Sequence, residues 1–193
     1  MPSPPDPKLI RRLDRLDAVT ERLLDAMSLA DRRALGRPPV EGAWTPLETL
    51  HHLCLAERHS VDYLLYKFGR EAVMPRLGVR ECVGGKAASL ALASPFKFAA
   101  PPQTDARREG VAGPDDLQSV ADASRAIRTD LRELIRQLPE GWRGRAVYRH
   151  PRVGRMSLAD MLRFFAVHQR RHGKQIRRAL AQNARHYRRQ EAG

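Results

Sequence analysis

"SLADMLRFFAVHQRRHGKQIRRAL", residues 157–180, is the stretch that decides the fold of this 193-residue chain. Ser157 stands three positions before Asp160, a spacing similar to a capping box and typical of a helix start. Apolar residues then recur every three or four positions, which predicts an amphipathic helix with one buried face. The expected buried stripe is Leu158, Met161, Leu162, Phe165, His168, His172, Ile176 and Ala179. Two histidines thus occupy core-facing positions.

Three further segments carry the same periodicity, at about 6–28, 45–68 and 115–138. The second of them opens with "WTPLETL", in which Thr45 can cap the helix and Glu48 completes a capping box. Four long amphipathic helices without convincing strands predict an all-α protein, and the architecture expected is a four-helix bundle.

The connections between these helices differ in length. Residues 70–113 form a long irregular connection between the second and third helices, in which a short helix fits around 86–93. The other connections are short enough to join antiparallel neighbours. The polar segment after the last helix is predicted to fray. We therefore predict a single bundle domain over residues 1–185 and a polar C-terminal tail over residues 186–193.

Composition narrows the class of protein. No apolar run approaches the roughly 18 residues of a membrane span, and the N-terminus has no secretory pattern. We therefore expect a soluble, cytoplasmic protein without a membrane partner. Cys54 and Cys82 lie in no metal-binding or redox pattern, and Cys54 is expected to be a small core residue.

Positive charge is concentrated near the C-terminus. The chain has a formal charge of +13, and the segment from Arg143 to Arg189 holds 14 basic residues and one acid. Such a surface can attract anionic substrates, phosphates or a membrane, or it can be a solvated arginine-rich face. No zinc finger, homeodomain or RNA-binding aromatic motif accompanies the charge, which argues against nucleic acid as the partner.

The two histidines of the last helix raise the question of a metal. His168 and His172 are four residues apart and share a helix face. A divalent cation would take a lone pair from each buried imidazole, although such pairs also occur without a metal. A third ligand could come from "LHHLCLAERH", residues 50–59, which offers His51, His52 and His59. Helical periodicity alone leaves His51 and His52 nearly equal.

A resemblance to a known family bears on this choice. "WTPLETLHHL", residues 44–53, resembles the second-helix signature of the DinB/YfiT-like superfamily, in which His-Leu follows eight positions after the Trp of Trp-Ser/Thr-Pro. "HPRVGRMSLADMLRFFAVHQRRHGKQI", residues 150–176, is similar to the family's HP-x-x-G turn, Ser/Thr helix cap and His-x-x-x-His-x-x-Gln-Ile helix end. The resemblance covers roughly residues 8–182.

The resemblance implies a site and an activity. Members are four-helix bundles with a three-histidine site for a divalent metal such as nickel, zinc or iron, and by position the ligands are His52, His168 and His172. Some relatives are transferases or isomerases that use bacillithiol, mycothiol or glutathione, and others are metal-dependent hydrolases. The resemblance therefore implies an enzyme that uses a metal to act on a small molecule. Its reaction would be either a thiol-dependent S-transfer or a hydrolysis. The alternative is a non-catalytic bundle that binds a metal or a partner through its basic last helix. Bundles of this kind can also form homodimers.

Other polar residues receive lesser roles. Arg149, Arg170 and Arg171 would suit an anionic thiol or carboxylate substrate, or they face solvent. Gln175 is a candidate for orienting a histidine ligand. The sequence selects no catalytic acid or base, and Glu57 is expected to form an ion pair between helices.

The remaining histidines are not expected to be ligands. His51 and His59 are assigned to the surface or to the surroundings of the site. His150 is assigned to a structural hydrogen bond in the HP turn, and His186 to the solvated tail.

Overall fold

The computed structural model describes residues 5–70, 73–78, 104–106, 116–150 and 154–192. Its elements, in chain order, are α1 (Pro7–Ser28), α2 (Arg32–Leu35), α3 (Pro46–Gly69), α4 (Leu117–Arg136), a 3-10 turn (Glu140–Trp142), β1 (Tyr148–His150), β2 (Gly154–Met156) and α5 (Leu158–Glu191). The four long helices are those predicted from the sequence, and the all-α fold class is confirmed.

The two helices that carry the candidate ligands begin at side-chain caps. Thr45 Oγ1 accepts a hydrogen bond from the backbone N–H of Glu48 at 3.0 Å, and the Glu48 carboxylate accepts one from the backbone N–H of Thr45 at 2.8 Å. The capping box predicted for α3 is therefore confirmed. At the start of α5, Ser157 Oγ accepts from the backbone N–H of Asp160 at 3.1 Å. These bonds satisfy N–H groups that a helix end leaves unpaired.

The bundle places α1 and α3 at opposite corners. Each of them makes its principal contacts with α4 and α5. The expectation that short connections join antiparallel neighbours is therefore wrong for α1 and α3, and also for α4 and α5. The chain between α1 and α3 is long enough to cross the bundle, and it includes α2, which packs against both α3 and α5.

The core between these helices is largely aliphatic. Burying one such side chain contributes about 1.5–3 kcal/mol relative to leaving it exposed. The largest fully buried side chains are Phe165, Leu13, Leu16, Leu23, Met27, Leu35, Leu47, Leu50, Leu53, Leu64, Ile127 and Leu131. They come from α1, α2, α3, α4 and α5, so a single core joins all of the helices.

A buried ion pair crosses this core. The Arg128 guanidinium of α4 contacts the Glu57 carboxylate of α3, and these residues are 7% and 1% exposed. Gln169 of α5 donates from Nε2 to Glu57 Oε1 at 3.0 Å. Thr20 Oγ1 of α1 accepts from Arg128 at 3.0 Å. The ion pair predicted for Glu57 is confirmed, and the polar cluster around it includes one residue from each long helix.

The last helix is longer than its apolar pattern indicates. It continues to Glu191, so the residues assigned to the polar tail, 186–193, are mostly helical. The buried side-chain amide of Asn183 donates to the carbonyl oxygens of Ala34 at 2.9 Å and Arg37 at 2.8 Å. These two bonds hold α5 at Asn183 against α2 and the turn after it.

A two-stranded antiparallel hairpin precedes α5, where the sequence predicted only a turn-rich connection. His150 of β1 pairs with Gly154 of β2, and Tyr148 pairs with Met156. Gly154 has a φ of 85°, a conformation that favours glycine. The hairpin contacts α3 through β1 and α5 through β2, so it lies against the two histidine-bearing helices.

Some of the features predicted from the sequence cannot be compared with the structure. Cys82, the short helix around 86–93 and most of the 70–113 connection lie outside the described residues. Cys54 is buried in α3, as predicted for a core residue. Among the helices that the structure describes, none has both the length and the apolar character of a membrane span.

Candidate metal centre

His52 of α3 meets His168 and His172 of α5 in one cluster. Each residue offers a ring nitrogen, and these atoms all lie within 4.8 Å of one another. Nε2 of His52 lies 3.4 Å from Nε2 of His168. The ring centroid of His52 lies 5.2 Å from that of His168 and 5.1 Å from that of His172. The centroids of His168 and His172 are 4.6 Å apart. His168 and His172 lie on one face of α5 because they are four residues apart. The packing of α3 against α5 places His52 beside them.

His52 is held by a backbone carbonyl from the long connection. Its Nδ1 lies 2.7 Å from the carbonyl oxygen of Thr104. Because a carbonyl oxygen can only accept, Nδ1 carries the proton and donates it. The Nε2 of the neutral ring is then left with its lone pair facing His168. The Trp44 ring packs 4.9 Å from the His52 ring and restricts its position further.

The two α5 histidines differ in their supports. Nδ1 of His172 lies 3.0 Å from Oε1 of Gln175, so the amide oxygen accepts the Nδ1 proton. Contacts of this kind orient imidazole ligands in metal sites. His168 is 8% exposed, and its Nδ1 has no hydrogen-bond partner within the described part of the chain. The ring of Phe164 lies 5.8 Å from it.

The cluster disfavours protonation of all three rings. Burial, followed by the neighbouring His172 and His52, holds the pKa of His168 well below its usual range. Burial and the nearby His52 lower the pKa of His172 to about 4. Burial also lowers the pKa of His52, although its bond to Thr104 acts in the opposite direction. The three imidazoles are therefore neutral at physiological pH, the state in which they can donate lone pairs to a cation.

The other histidines lie outside the cluster. His51, which periodicity could not separate from His52, is half-buried, whereas His52 is buried and joins the cluster. His59 is exposed. His150 is half-buried in β1, and His186 is half-buried on α5 where a solvated position was expected. The structure therefore gathers the three histidines that the family resemblance selects.

The arginines proposed for substrate binding are not equally placed. Arg149 and Arg170 are exposed, and Arg170 lines a groove on another side of α5. Arg171 is half-buried, and its charge contributes to lowering the pKa of both His168 and His172. Of the three arginines, Arg171 is therefore the one whose charge lies near enough to the cluster to disfavour protonation of its rings.

One contact of the site had no signal in the sequence. Thr104 acts through its backbone carbonyl, which any residue type would supply, and it lies within an irregular connection without periodicity. The ring of Trp44, which lies just before the cap of α3, also contacts His52. These contacts depend on the path of the chain rather than on the identity of the residues.

The donor set fits a divalent metal. Imidazole nitrogens bind zinc at 2.0–2.1 Å, so two ligands of a tetrahedral site lie about 3.3 Å apart. The Nε2 atoms of His52 and His168 are separated by 3.4 Å, close to this spacing. A hydrogen bond between these two rings would satisfy one lone pair, whereas a cation would satisfy all three. Imidazole also suits nickel and iron, so the nitrogens alone select no single element.

Comparison with known families agrees with this geometry. A profile described as the DinB superfamily matches residues 14–176, a span that contains all three clustered histidines. The chain belongs to the DinB superfamily, which confirms the resemblance found in its motifs. No curated protein and no solved structure matches the chain.

Proposed function

We propose that this protein binds a divalent metal through His52, His168 and His172 and uses it to act on a small molecule. The observation that carries the proposal is the convergence of three imidazole nitrogens within 4.8 Å, two of them on buried residues and the third on the half-buried His172. Their depressed pKa values keep the rings unprotonated. Three unprotonated nitrogens would otherwise remain packed together away from water, an arrangement that gains little stability without a cation.

Three protein ligands favour catalysis over a structural role. Structural zinc sites are closed by four protein ligands, whereas catalytic sites keep a position for water or substrate. When bound, the metal would supply Lewis acidity, which lowers the pKa of a water molecule or a thiol. The protein would supply orientation: Thr104 and Gln175 fix two of the rings, and Trp44 and Phe164 pack against the rings of His52 and His168.

The proposed reaction is a thiol-dependent S-transfer or a hydrolysis. The charge of Arg171 beside the histidines supports a substrate or co-substrate with an anionic group. Glutathione and bacillithiol carry carboxylates, and so do many small substrates of hydrolases. Both reactions would use the same metal-activated nucleophile, and they differ in whether that nucleophile is a thiol or water.

The second candidate is a bundle that binds metal, or a partner, without turnover. It is favoured by the exposed basic residues along α5, which include Arg170, Lys174, Arg177 and Arg178. Such a surface can bind an acidic partner regardless of any chemistry at the histidines.

Metal content tests the proposal directly. The full-length chain would be purified without a polyhistidine tag, and its metals would be measured by element-specific mass spectrometry. We expect close to one nickel, zinc or iron per chain, lost in His52→Ala and His168→Ala. His59→Ala, which changes an exposed histidine, should keep the metal. A folded wild-type protein that retains none of these metals after incubation with each would refute the site.

Turnover separates the two candidates. The metal-loaded wild-type protein would be assayed with a panel of electrophiles and the thiols glutathione, mycothiol and bacillithiol, and with a panel of small esters and amides. Activity that disappears in His168→Ala supports the enzyme. Stoichiometric metal with no turnover in either panel supports the non-catalytic bundle.

A further inference from the structure

We propose that a groove between α1 and α5 is a second ligand site, which binds a small dianion through Arg22, Arg170 and Arg177. The groove has a cavity volume of about 410 Å³ and contains none of the three clustered histidines. His168 and Gln169 are consecutive, so their side chains leave α5 about 100° apart. The groove and the metal cluster therefore lie on different faces of the same helix.

Within the described residues, the three arginines lack a binding partner. Arg22 comes from α1, and Arg170 and Arg177 come from α5. None of them forms an ion pair or a hydrogen bond with the rest of the described chain, in contrast to Arg58 and Arg128, which are paired with carboxylates. Three guanidinium groups around one cavity, all available to a ligand, match the planar oxygens of carboxylates and phosphates.

The floor of the groove is recessed because it contains a glycine. A Cβ atom placed on Gly173 would lie 3.5 Å from a terminal guanidinium nitrogen of Arg177 and 3.7 Å from a methyl group of Leu23. A larger side chain at this position would therefore occupy the space between α1 and α5. The guanidinium of Arg177 folds back over the glycine, which places its donors at the recess.

Gln169 adds a buried acceptor to this floor. Its Nε2 donates to Glu57, and this bond fixes the orientation of the amide. Its Oε1 has no hydrogen-bond partner in the described part of the chain, although the residue is only 2% exposed. Leaving a buried acceptor unsatisfied costs about 1–3 kcal/mol. A hydroxyl or amine on the bound anion could donate to this oxygen.

The charges of the groove favour a ligand with two negative charges. The lining contains three arginines and one carboxylate, that of Asp25, so its formal charge is +2. The volume lies near the lower end of the range of about 300–1,000 Å³ that is usual for small-molecule sites. The expected ligand class is a small dicarboxylate or a phosphate ester. Both present the oxygens that guanidinium groups recognise.

Calorimetric titration of the full-length protein with inorganic phosphate and with succinate tests this site. We expect saturable binding of one anion per chain for at least one probe, and the tighter probe identifies the class. Arg22→Gln and Arg177→Gln should each weaken binding about tenfold, the usual effect of losing one charge-assisted hydrogen bond. Asp25→Asn should strengthen it, because the carboxylate repels the anion.

Matched variants on the same helices exclude a diffuse attraction to basic surface. Arg15→Gln on α1 and Arg178→Gln on α5 remove the same charge from exposed positions outside the groove. If these controls weaken binding as much as Arg22→Gln and Arg177→Gln do, or if neither probe saturates at millimolar concentration, the proposal is overturned. Melting curves by circular dichroism would verify that every variant is folded.

The proposals for the metal site and for the groove can be refuted independently of each other. A His52→Ala/His172→Ala double variant should bind the anion as tightly as the wild-type protein, because neither histidine lines the groove. Arg177→Gln should keep the wild-type metal content. Anion binding that disappears in the double histidine variant would assign the anion to the metal and refute the groove.

Discussion

Nδ1 of His52 lies 2.7 Å from the carbonyl oxygen of Thr104, a contact that joins α3 to the long connection before α4. This bond determines which nitrogen of His52 faces the other two histidines. The connection thus contributes to the site without supplying a side chain. Its influence on the metal centre can be measured through the proton that it holds.

The first prediction concerns that proton. In the metal-free protein at neutral pH, ¹⁵N–¹H correlation spectra should show His52 and His172 as neutral rings protonated at Nδ1, because Thr104 and Gln175 accept those protons. Addition of Zn²⁺ should leave both Nδ1 protons in place and shift the Nε2 resonances. A His52 ring protonated at Nε2 in the metal-free protein would contradict the orientation described here.

Gln175 should set the affinity for metal without being a ligand. Gln175→Leu removes the acceptor of the His172 Nδ1 proton, and losses of this kind typically weaken metal binding by about 10–100-fold. Gln175→Glu keeps an acceptor and should restore most of the affinity. Competition with a chromophoric chelator measures both, and Lys174→Leu, at an exposed neighbouring position, is the control. Equal affinities in Gln175→Leu and Lys174→Leu would remove Gln175 from the site.

The histidine cluster should make the metal-free protein sensitive to acid. The pKa of His172 is lowered to about 4, and the pKa values of His52 and His168 are also lowered, whereas an unfolded histidine has a pKa of about 6.5. Between these values the unfolded chain binds more protons than the folded chain, so the free energy of unfolding falls as the pH is lowered. Above about pH 6.5 this contribution is fully present.

Urea denaturation between pH 8 and pH 4.5, in the presence of a chelator, measures this dependence. The midpoint of the wild-type protein should fall across the acidic part of the range, and His172→Asn should make the fall less steep. His59→Asn, which replaces an exposed histidine outside the cluster, is the control. Identical pH profiles for the wild-type protein and His172→Asn would show that the cluster does not resist protonation.

The buried ion pair should be costly to break from one side. Arg128→Met leaves the Glu57 carboxylate buried without its cation, and such losses typically cost about 3–5 kcal/mol in the free energy of unfolding. The double variant Glu57→Gln/Arg128→Met removes both charges and should recover part of the loss. Arg125→Met removes an exposed pair with Glu21 from the same helix and should cost less than about 1 kcal/mol. A similar loss in Arg128→Met and Arg125→Met, measured by urea denaturation, would contradict this view.

Much of the fold and part of the site are local properties of the sequence. The capping box of Thr45 and Glu48 and the apolar periodicity predict where α3 begins and which class of fold forms. His168 and His172 share a face because of the helix period alone. These features require no knowledge of which helices are neighbours.

The remainder depends on contacts between distant segments. α3 packs against both α4 and α5, so its buried surface is broad, and periodicity could not separate His51 from His52. Near its C-terminal end, α5 is held by the hydrogen bond from Asn183 to Ala34. The polar composition of this segment gave no indication of such a contact. The role of Thr104 belongs to the backbone, and no residue pattern encodes it.

The diagonal placement of α1 has a consequence for synthesis of the protein. Its leucines are buried mainly by α4 and α5, which leave the ribosome only after the greater part of the chain has been made. During translation, α1 and α3 therefore expose apolar faces that have no native partner, a state that invites chaperone binding. A nascent chain released before residue 158 would lack both the closing helix of the bundle and two of the three clustered histidines, and it would be a target for degradation.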